Sequence, residues 1–360
     1  IPKQINLFFK KQNMKKKSLS AKKKIHNKLL INLKNPLINK VYKDFSYLIK
    51  QNLIKSNFSV AISGGADSLA LTYFSKCYSI LNKVKVKYYH VDHKLRSESS
   101  TEAKNIKLLL KNFDINCKII RWSGKKPKSN IQSIARTNRY NLIYNECLKD
   151  KINFIFLAHH IDDLYENFLI RLLRGSGLKG LVSFNQIKAS YNDKLEIVRP
   201  LISHRKSDLE YISKKVFNFK IEDPSNKNIK FKRIRIRNLI NNLKVEGLNI
   251  EKLKLTINNL SESNFTINHY VHENIKNNSK YNKKKENYIL NNNFFMQPNE
   301  IVFRSLNNLF KQIGKKYYSP RGKSINYLIR KIGSGEIKKV NISGCILEKI
   351  NNSFIIYKEK

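Results

Sequence analysis

The sequence predicts an α/β protein built on a parallel sheet and followed by helical and small α+β parts, and three observations carry that prediction. Short apolar runs alternate with amphipathic segments from residue 58 to residue 217. The first run ends in a glycine pair that opens a helix, Ser63-Gly64-Gly65-Ala66-Asp67-Ser68. The alternation stops at the turn-forming stretch Glu222-Asp223-Pro224-Ser225-Asn226. Strands that alternate with helices of about ten to fifteen residues need crossovers, and these wrap helices over both faces of a parallel sheet.

Taken in order, residues 58–62 form a short strand that runs into the glycines, and 67–81 a helix. A second strand covers 84–90, a helix with apolar Ile106, Leu109 and Leu110 covers 99–113, and a third strand covers 117–122. Residues 131–149 are helical, 154–158 form a wholly apolar strand, and 162–174 and 208–217 are helices. Ligands of such a sheet bind at the carboxyl ends of its strands. Residues 227–263 are basic and helical in character, and the Asn- and Lys-rich run 274–293 reads as a linker or long loop. Helices at 300–313 and 324–332 and two or three antiparallel strands within 340–357 close the chain. The expected organisation is a basic, disordered tail at 1–44, a sheet domain at 45–220, a basic helical region with linker at 221–293 and a small α+β domain at 294–360.

A chain of 360 residues exceeds a single core and supports two or three units. With 41% apolar and 11% aromatic residues it can bury those cores, which excludes general disorder. The 71 Lys and Arg against 26 Asp and Glu, a net charge of +45, favour a polyanionic partner, nucleic acid first, through release of condensed counterions. A genome biased toward Lys, Asn and Ile is the competing explanation. Cys77, Cys117, Cys147 and Cys345 form no Cys-x-x-Cys pair, which argues against zinc knuckle, iron–sulfur ligation and disulfide framework and points to a reducing compartment. No apolar run reaches the roughly eighteen residues that cross a bilayer, so no membrane partner is expected. Ile1 is not a usual initiator, which makes Met14 a candidate start.

The glycine loop has the chemistry of a phosphate site. Gly64 and Gly65 permit positive φ and close backbone approach, and free amides at the helix start face an anion. Ser63 and Ser68 offer hydroxyl donors, and Asp67 is placed to hold the magnesium (Mg2+) that accompanies ATP. A tight turn with Asp67 or Ser68 as helix cap is the structural alternative. No Gly-Lys-Ser/Thr follows, so this is not a Walker loop. Asp162, Asp163 and Glu166 cluster acid in a basic chain, on neighbouring positions of one helix. They can hold a cationic substrate, or simply complement the helix dipole. Arg136 and Arg139, one turn apart, suit phosphate oxygens, with a solvated basic face as the alternative. Magnesium rarely takes imidazole, so His90 and His93 are read as hydrogen-bonding groups and not as metal ligands.

The glycine loop resembles that of the N-type ATP pyrophosphatases, the PP-loop superfamily, which split ATP between its α and β phosphates and adenylate an oxygen of the substrate. Three further stretches narrow the resemblance. They are His90-Val91-Asp92-His93-Lys94-Leu95-Arg96, Ala135-Arg136-Thr137-Asn138-Arg139-Tyr140, and Ala158-His159-His160-Ile161-Asp162-Asp163-Leu164-Tyr165-Glu166-Asn167 leading to Arg174-Gly175-Ser176-Gly177-Leu178. With Arg199-Pro200-Leu201 they make residues 57–238 similar to the tRNA(Ile)-lysidine synthetase family. The resemblance implies a Rossmann-like, adenine nucleotide α-hydrolase-like domain that binds ATP and Mg2+. The implied partners are tRNA(Ile) with a CAU anticodon and free L-lysine, and a homodimer is compatible with it.

The implied reaction adenylates carbon-2 oxygen of the wobble cytidine, after which the lysine ε-amine displaces AMP. Ser63, Gly64, Gly65, Ala66, Asp67 and Ser68 then hold ATP, with Asp67 on the metal and Arg136 and Arg139 on the phosphates. Asp163 and Glu166 hold lysine, His160 positions the amine or the substrate, and Arg174, Arg233 and Arg237 meet substrate. Phe231-Lys232-Arg233-Ile234-Arg235-Ile236-Arg237 departs from the family's Arg-Asn-x-Ile-Arg by placing Ile234 where Asn is expected, which removes any amide contact there. Ser319-Pro320-Arg321 and Ser343-Gly344-Cys345 resemble the family more loosely and imply a C-terminal part that grips tRNA by shape and backbone charge. The resemblance implies a cytoplasmic enzyme, or one of the plastid stroma if the gene is plastid-encoded. Rival readings are a related PP-loop tRNA-modifying enzyme of thiolase type and a catalytically silent RNA-binding relative.

Overall fold

The computed structural model describes residues 20–51, 57–95, 97–124, 131–184, 188–192, 195–218, 232–315 and 319–359. The chain divides into two units, residues 1–254 and 255–360. The expected boundaries after 220 and 293 are therefore replaced by one division inside a helix. Expected turn residues Asp223 to Asn226, together with Arg96 and Phe231, lie outside the described residues.

In the first unit a six-stranded sheet has the order β3-β2-β1-β4-β6-β5. Its strands are β1 (Phe58–Ile62), β2 (Val86–Asp92), β3 (Cys117–Arg121), β4 (Phe154–Phe156), β5 (Lys188–Asn192) and β6 (Leu195–Val198). All neighbours pair in parallel except β5, which runs antiparallel to β6. The β5–β6 pair was not legible, because Lys188 and Glu196 break the apolar run. Helices α3 (Ala66–Asn82), α4 (Ser99–Lys111), α5 (Ile131–Lys149), α6 (Ile161–Leu172) and α8 (Lys206–Phe217) follow the expected alternation, with a short α7 (Leu178–Leu181) after α6. The Phe58 and Phe156 rings stack with centroids 4.1 Å apart, joining β1 to β4 at the centre of the sheet.

The disordered tail expected at 1–44 is corrected over 20–44, and residues 1–19 lie outside the described residues. A helix α1 at 20–31 and α2 (Pro36–Gln51) occupy most of its described part. Ile38, Val41, Phe45 and Ile49 recur at helical spacing between polar residues and are buried, and Leu29 of α1 joins them in the same core. Lysine and asparagine on the outer face hid that stripe in the composition. Helix α9 (Lys232–Val245) packs against α6 and completes the unit.

Helix α10 (Ile250–Asn278) carries the chain into the second unit. There an antiparallel sheet has the order β7-β8-β11-β10-β9, from β7 (Ser279–Asn282), β8 (Asn287–Leu290), β9 (Lys339–Ile342), β10 (Cys345–Ile350) and β11 (Ser353–Lys358). Helices α11 (Asn299–Ile313) and α12 (Gly322–Gly333) cover one apolar core with it. The linker expected at 274–293 is thus corrected to a helix end and a hairpin. Its Asn residues are structural: Asn274 is buried and donates to Ser305 Oγ at 3.2 Å and to the Phe294 carbonyl at 3.3 Å. Among the described residues no helix is long and apolar enough to cross a membrane.

Candidate active site

Strand order places the site. β1 is flanked by β2 on one side and β4 on the other, so the switch point at which such sheets bind ligands lies beyond the carboxyl ends of β1 and β4. The glycine loop leaves β1 there and His160 follows β4. Gly64 has φ 91°, a conformation that L side chains rarely adopt. Gly65 has φ −71° and caps α3, so the expected positive φ is confined to Gly64. With no side-chain cap on α3, and Leu69 N–H donating to the Gly65 carbonyl as the first helical bond, the amides before it are open to an anion.

Ser68 shapes the loop from inside. Its buried hydroxyl accepts from the amides of Ser63 (3.2 Å) and Gly64 (3.1 Å), meets Ser63 Oγ (3.1 Å) and donates to the Gly65 carbonyl (2.9 Å). The hydroxyl of Ser68 thus braces the loop, while Ser63 is exposed. His90 steadies the entry to the loop, its Nδ1 lying 2.9 Å from the Ile62 carbonyl, so that nitrogen carries the proton.

Asp67 sits on the first turn of α3 with Oδ1 buried and without a hydrogen bond, and burial raises its pKa. An unsatisfied carboxylate oxygen beside free amides suits a hard divalent cation shared with phosphates. Its other oxygen lies 3.7 Å from His160 Nε2. His160 caps α6 in a reciprocal box: Nδ1 accepts from Asp163 N–H at 3.4 Å, and the His160 N–H donates to Asp163 Oδ2 at 3.3 Å. Asp162 Oδ2 is 3.5 Å from Nδ1, and Asp163 Oδ2 is 3.4 Å from Nε2. Burial depresses the imidazole pKa, but the contact with Asp162 and the charges of Asp163 and Asp67 outweigh it and raise the value.

The three acids of α6 divide by direction. Asp162 accepts from Lys206 N–H at 2.9 Å, at the start of α8, and its pKa falls to about 2: burial opposes this, and the His160 and Lys206 contacts prevail. Asp163 and Glu166 are buried and face α9 together. Arg237 Nε donates to Glu166 Oε1 at 2.5 Å, while Arg233 lies 3.8 Å from Asp163 and 4.0 Å from Glu166. Glu166 Oε2 is buried and accepts no hydrogen bond. The two arginines expected on substrate phosphates therefore lie on the carboxylates in this state.

The remaining expected residues are less concentrated. Arg139 Nε donates to His93 Nε2 at 3.1 Å, which fixes the proton of neutral His93 on Nδ1. Burial and the neighbouring Arg139 lower the His93 pKa to about 4. Arg136 stacks on the Tyr140 ring, 5.2 Å from its centroid. Asp92 is used locally, accepting from Lys94 N–H at 3.0 Å and Ser100 Oγ at 2.7 Å. Arg174 lies exposed beyond the end of α6, two turns past Glu166, and no described contact joins it to the acid cluster.

A PP-loop domain model matches residues 10–244. The tRNA(Ile)-lysidine synthase of Orientia tsutsugamushi is 32% identical over 318 residues, spanning 84% of this chain and 69% of that protein. That of Wolbachia pipientis is 31% identical over 324 residues, spanning 87% of this chain and 74% of that protein. The chain belongs to the tRNA(Ile)-lysidine synthase family. As a lysidine synthase relative it has the PP-loop fold, and a solved U34-tRNA thiolase from Methanococcus maripaludis shares that fold at TM-score 0.52 and 14% identity, over 63% of this chain and 78% of that one.

Two residues of this lysidine synthase family member escaped the sequence reading. His159 packs edge-on against Phe184, with ring centroids 4.8 Å apart, and burial lowers its pKa to about 3, so it stays neutral. Lys206 supplies the amide that orients Asp162 and lies close enough to Asp67 to offset part of the rise that burial imposes on its pKa. His159 stood in a family-like stretch without a role of its own, and Lys206 was one lysine among many.

Proposed function

We propose that this chain joins free L-lysine to carbon 2 of the wobble cytidine in the CAU anticodon of tRNA(Ile), at the expense of ATP. The loop after β1 holds the triphosphate on the free amides of α3. Asp67 would hold magnesium, which supplies charge neutralisation of the triphosphate when bound. The cytidine O2 attacks the α-phosphorus, the bond to the β-phosphate oxygen breaks, and diphosphate leaves. The lysine ε-amine then adds at carbon 2, the bond from carbon 2 to the AMP oxygen breaks, and the amine proton is given up.

The observation that carries this reading is the pair Asp163 and Glu166, both buried, with Glu166 Oε2 accepting no hydrogen bond and only a 4.0 Å ion pair from Arg233. A buried carboxylate oxygen without a hydrogen bond is costly, and an ammonium group satisfies it with a charge-assisted hydrogen bond. His160 spans the distance between that pair and Asp67, so lysine and ATP are held on two sides of one imidazole. Its Nε2 proton faces both carboxylates and keeps their orientation while substrates exchange.

A thiolase reading lacks support from the thiols, because Cys77, Cys117, Cys147 and Cys345 are all buried and in no disulfide, and burial pushes Cys77, Cys117 and Cys147 up to about 12, 12 and 11. The test is AMP release by the purified protein with ATP and a CAU-anticodon tRNA(Ile). Release that requires added lysine supports the reading. Release that ignores lysine but responds to a sulfur donor overturns it.

A further inference from the structure

Away from the crevice, the outer edge of the first unit's sheet carries a second basic feature. A cavity of about 560 Å³ opens along β3, the terminal strand of the sheet, and Lys87, Lys107, Asn116, Lys118 and Arg121 line it. Its four cations are unevenly compensated. Lys118 bonds Glu146 and Lys87 reaches Asp150 at 3.4 Å, whereas Lys107 and Arg121 form no salt bridge among the described residues. The basic surface continues outward from Lys107. Lys104, Lys107 and Lys111 recur three and four residues apart on the exposed face of α4, so they make one stripe. No residue of the ATP and lysine site belongs to this set.

We infer that the β3 edge and the α4 lysine stripe form a phosphate-backbone groove that anchors the tRNA substrate outside the catalytic crevice. The inference rests on the proposed tRNA reaction. Charge complementarity selects the occupant: flexible lysines at helical spacing match successive phosphates, and each neutralised phosphate releases counterions. The guanidinium of Arg121, at the carboxyl end of β3, adds a forked donor at the end of the groove nearest the ligand-binding edge of the sheet. Recognition here is independent of base identity, because the groove offers cations and backbone, with no aromatic platform. A basic groove of this kind sets how tightly RNA is held and leaves the chemistry to Asp67, Asp163 and Glu166.

The experiment compares the full chain with Lys107→Glu/Arg121→Glu, and with Lys23→Glu/Lys43→Glu as a control of equal charge change on exposed residues of α1 and α2. The groove pair should weaken CAU-tRNA binding by about tenfold or more and lower the slope of log Kd against log salt by roughly two. It should raise KM for tRNA, leave kcat at saturating tRNA unchanged and melt with the wild type. The control pair should lose much less affinity. Equal losses from both pairs, or unchanged affinity and salt slope in the groove pair, overturn the inference. Lys107→Gln/Arg121→Gln, which removes charge without reversing it, must show the same direction with about half the effect. Wild-type protein that binds tRNA but transfers no lysine would count against the proposed reaction alone, since the binding comparison still reads the groove.

Discussion

At the scale of single residues, the site is a set of carboxylates whose freedom differs. Asp162 is fully used by Lys206 and His160, Asp163 caps its own helix, and Glu166 keeps one oxygen without a hydrogen bond. Glu166→Gln should therefore raise the lysine concentration needed for half-maximal turnover by about tenfold or more while tRNA-dependent diphosphate release from ATP survives, since a charge-assisted bond is lost at one substrate only. A parallel loss of diphosphate release would place Glu166 in adenylation instead. On the proposed assignment of its carboxylate to ATP and magnesium, Asp67→Asn should do the reverse, abolishing diphosphate release and leaving the tRNA dissociation constant within about twofold.

The same residues set a pH signature. Asp162 has a folded pKa of about 2, below its ordinary 3.8, so its contribution to stability is complete above the ordinary value. It is lost as pH falls through the folded value. Urea titrations of the wild type should lose stability across that window, and Asp162→Asn should be flatter there. His160, with a raised pKa, contributes in the opposite sense: its share is full below the ordinary histidine value and fades as pH climbs through the folded one.

At the scale of elements, the loop between β1 and α3 depends on two positions. Gly64→Ala forces a side chain into φ 91°, at a cost of about 1–2 kcal/mol, and should impair ATP binding before it impairs folding. Ser68→Ala removes the hydroxyl that two amides and one carbonyl share, and should lower stability by roughly 1–3 kcal/mol, read by thermal melting. The strand–loop–helix was legible because glycine pairs and apolar strands are local signals. Helices α1 and α2 were not, because their apolar stripe is diluted by lysines that snorkel around it. Ile38→Ala distinguishes the two descriptions of the segment before residue 45. A disordered tail would tolerate it, whereas an Ile38 side chain fully buried in the core of the first unit should cost about 2–5 kcal/mol.

At the scale of the whole molecule, the motifs identified the chemistry, and the tertiary structure decided how their residues are paired. Arg233 and Arg237 read as phosphate ligands from spacing alone, yet they rest on Asp163 and Glu166, a long-range pairing that no local pattern encodes. The β7–β8 hairpin was hidden for a related reason, because buried asparagines that hydrogen-bond across the fold look like linker composition in a one-dimensional reading. The net charge of +45 belongs to this scale too, since it is spread over both units and matches a partner as large and as anionic as tRNA.

The most direct measurement of the central claim is transfer of labelled L-lysine to purified CAU-anticodon tRNA(Ile) in the presence of ATP, followed by nuclease digestion and mass analysis of the wobble nucleoside. The account predicts one lysine per tRNA, attached to the wobble cytidine, with one AMP released per transfer and none with Asp67→Asn. A wobble cytidine of unchanged mass, under conditions where the protein binds both ATP and the tRNA, would contradict it.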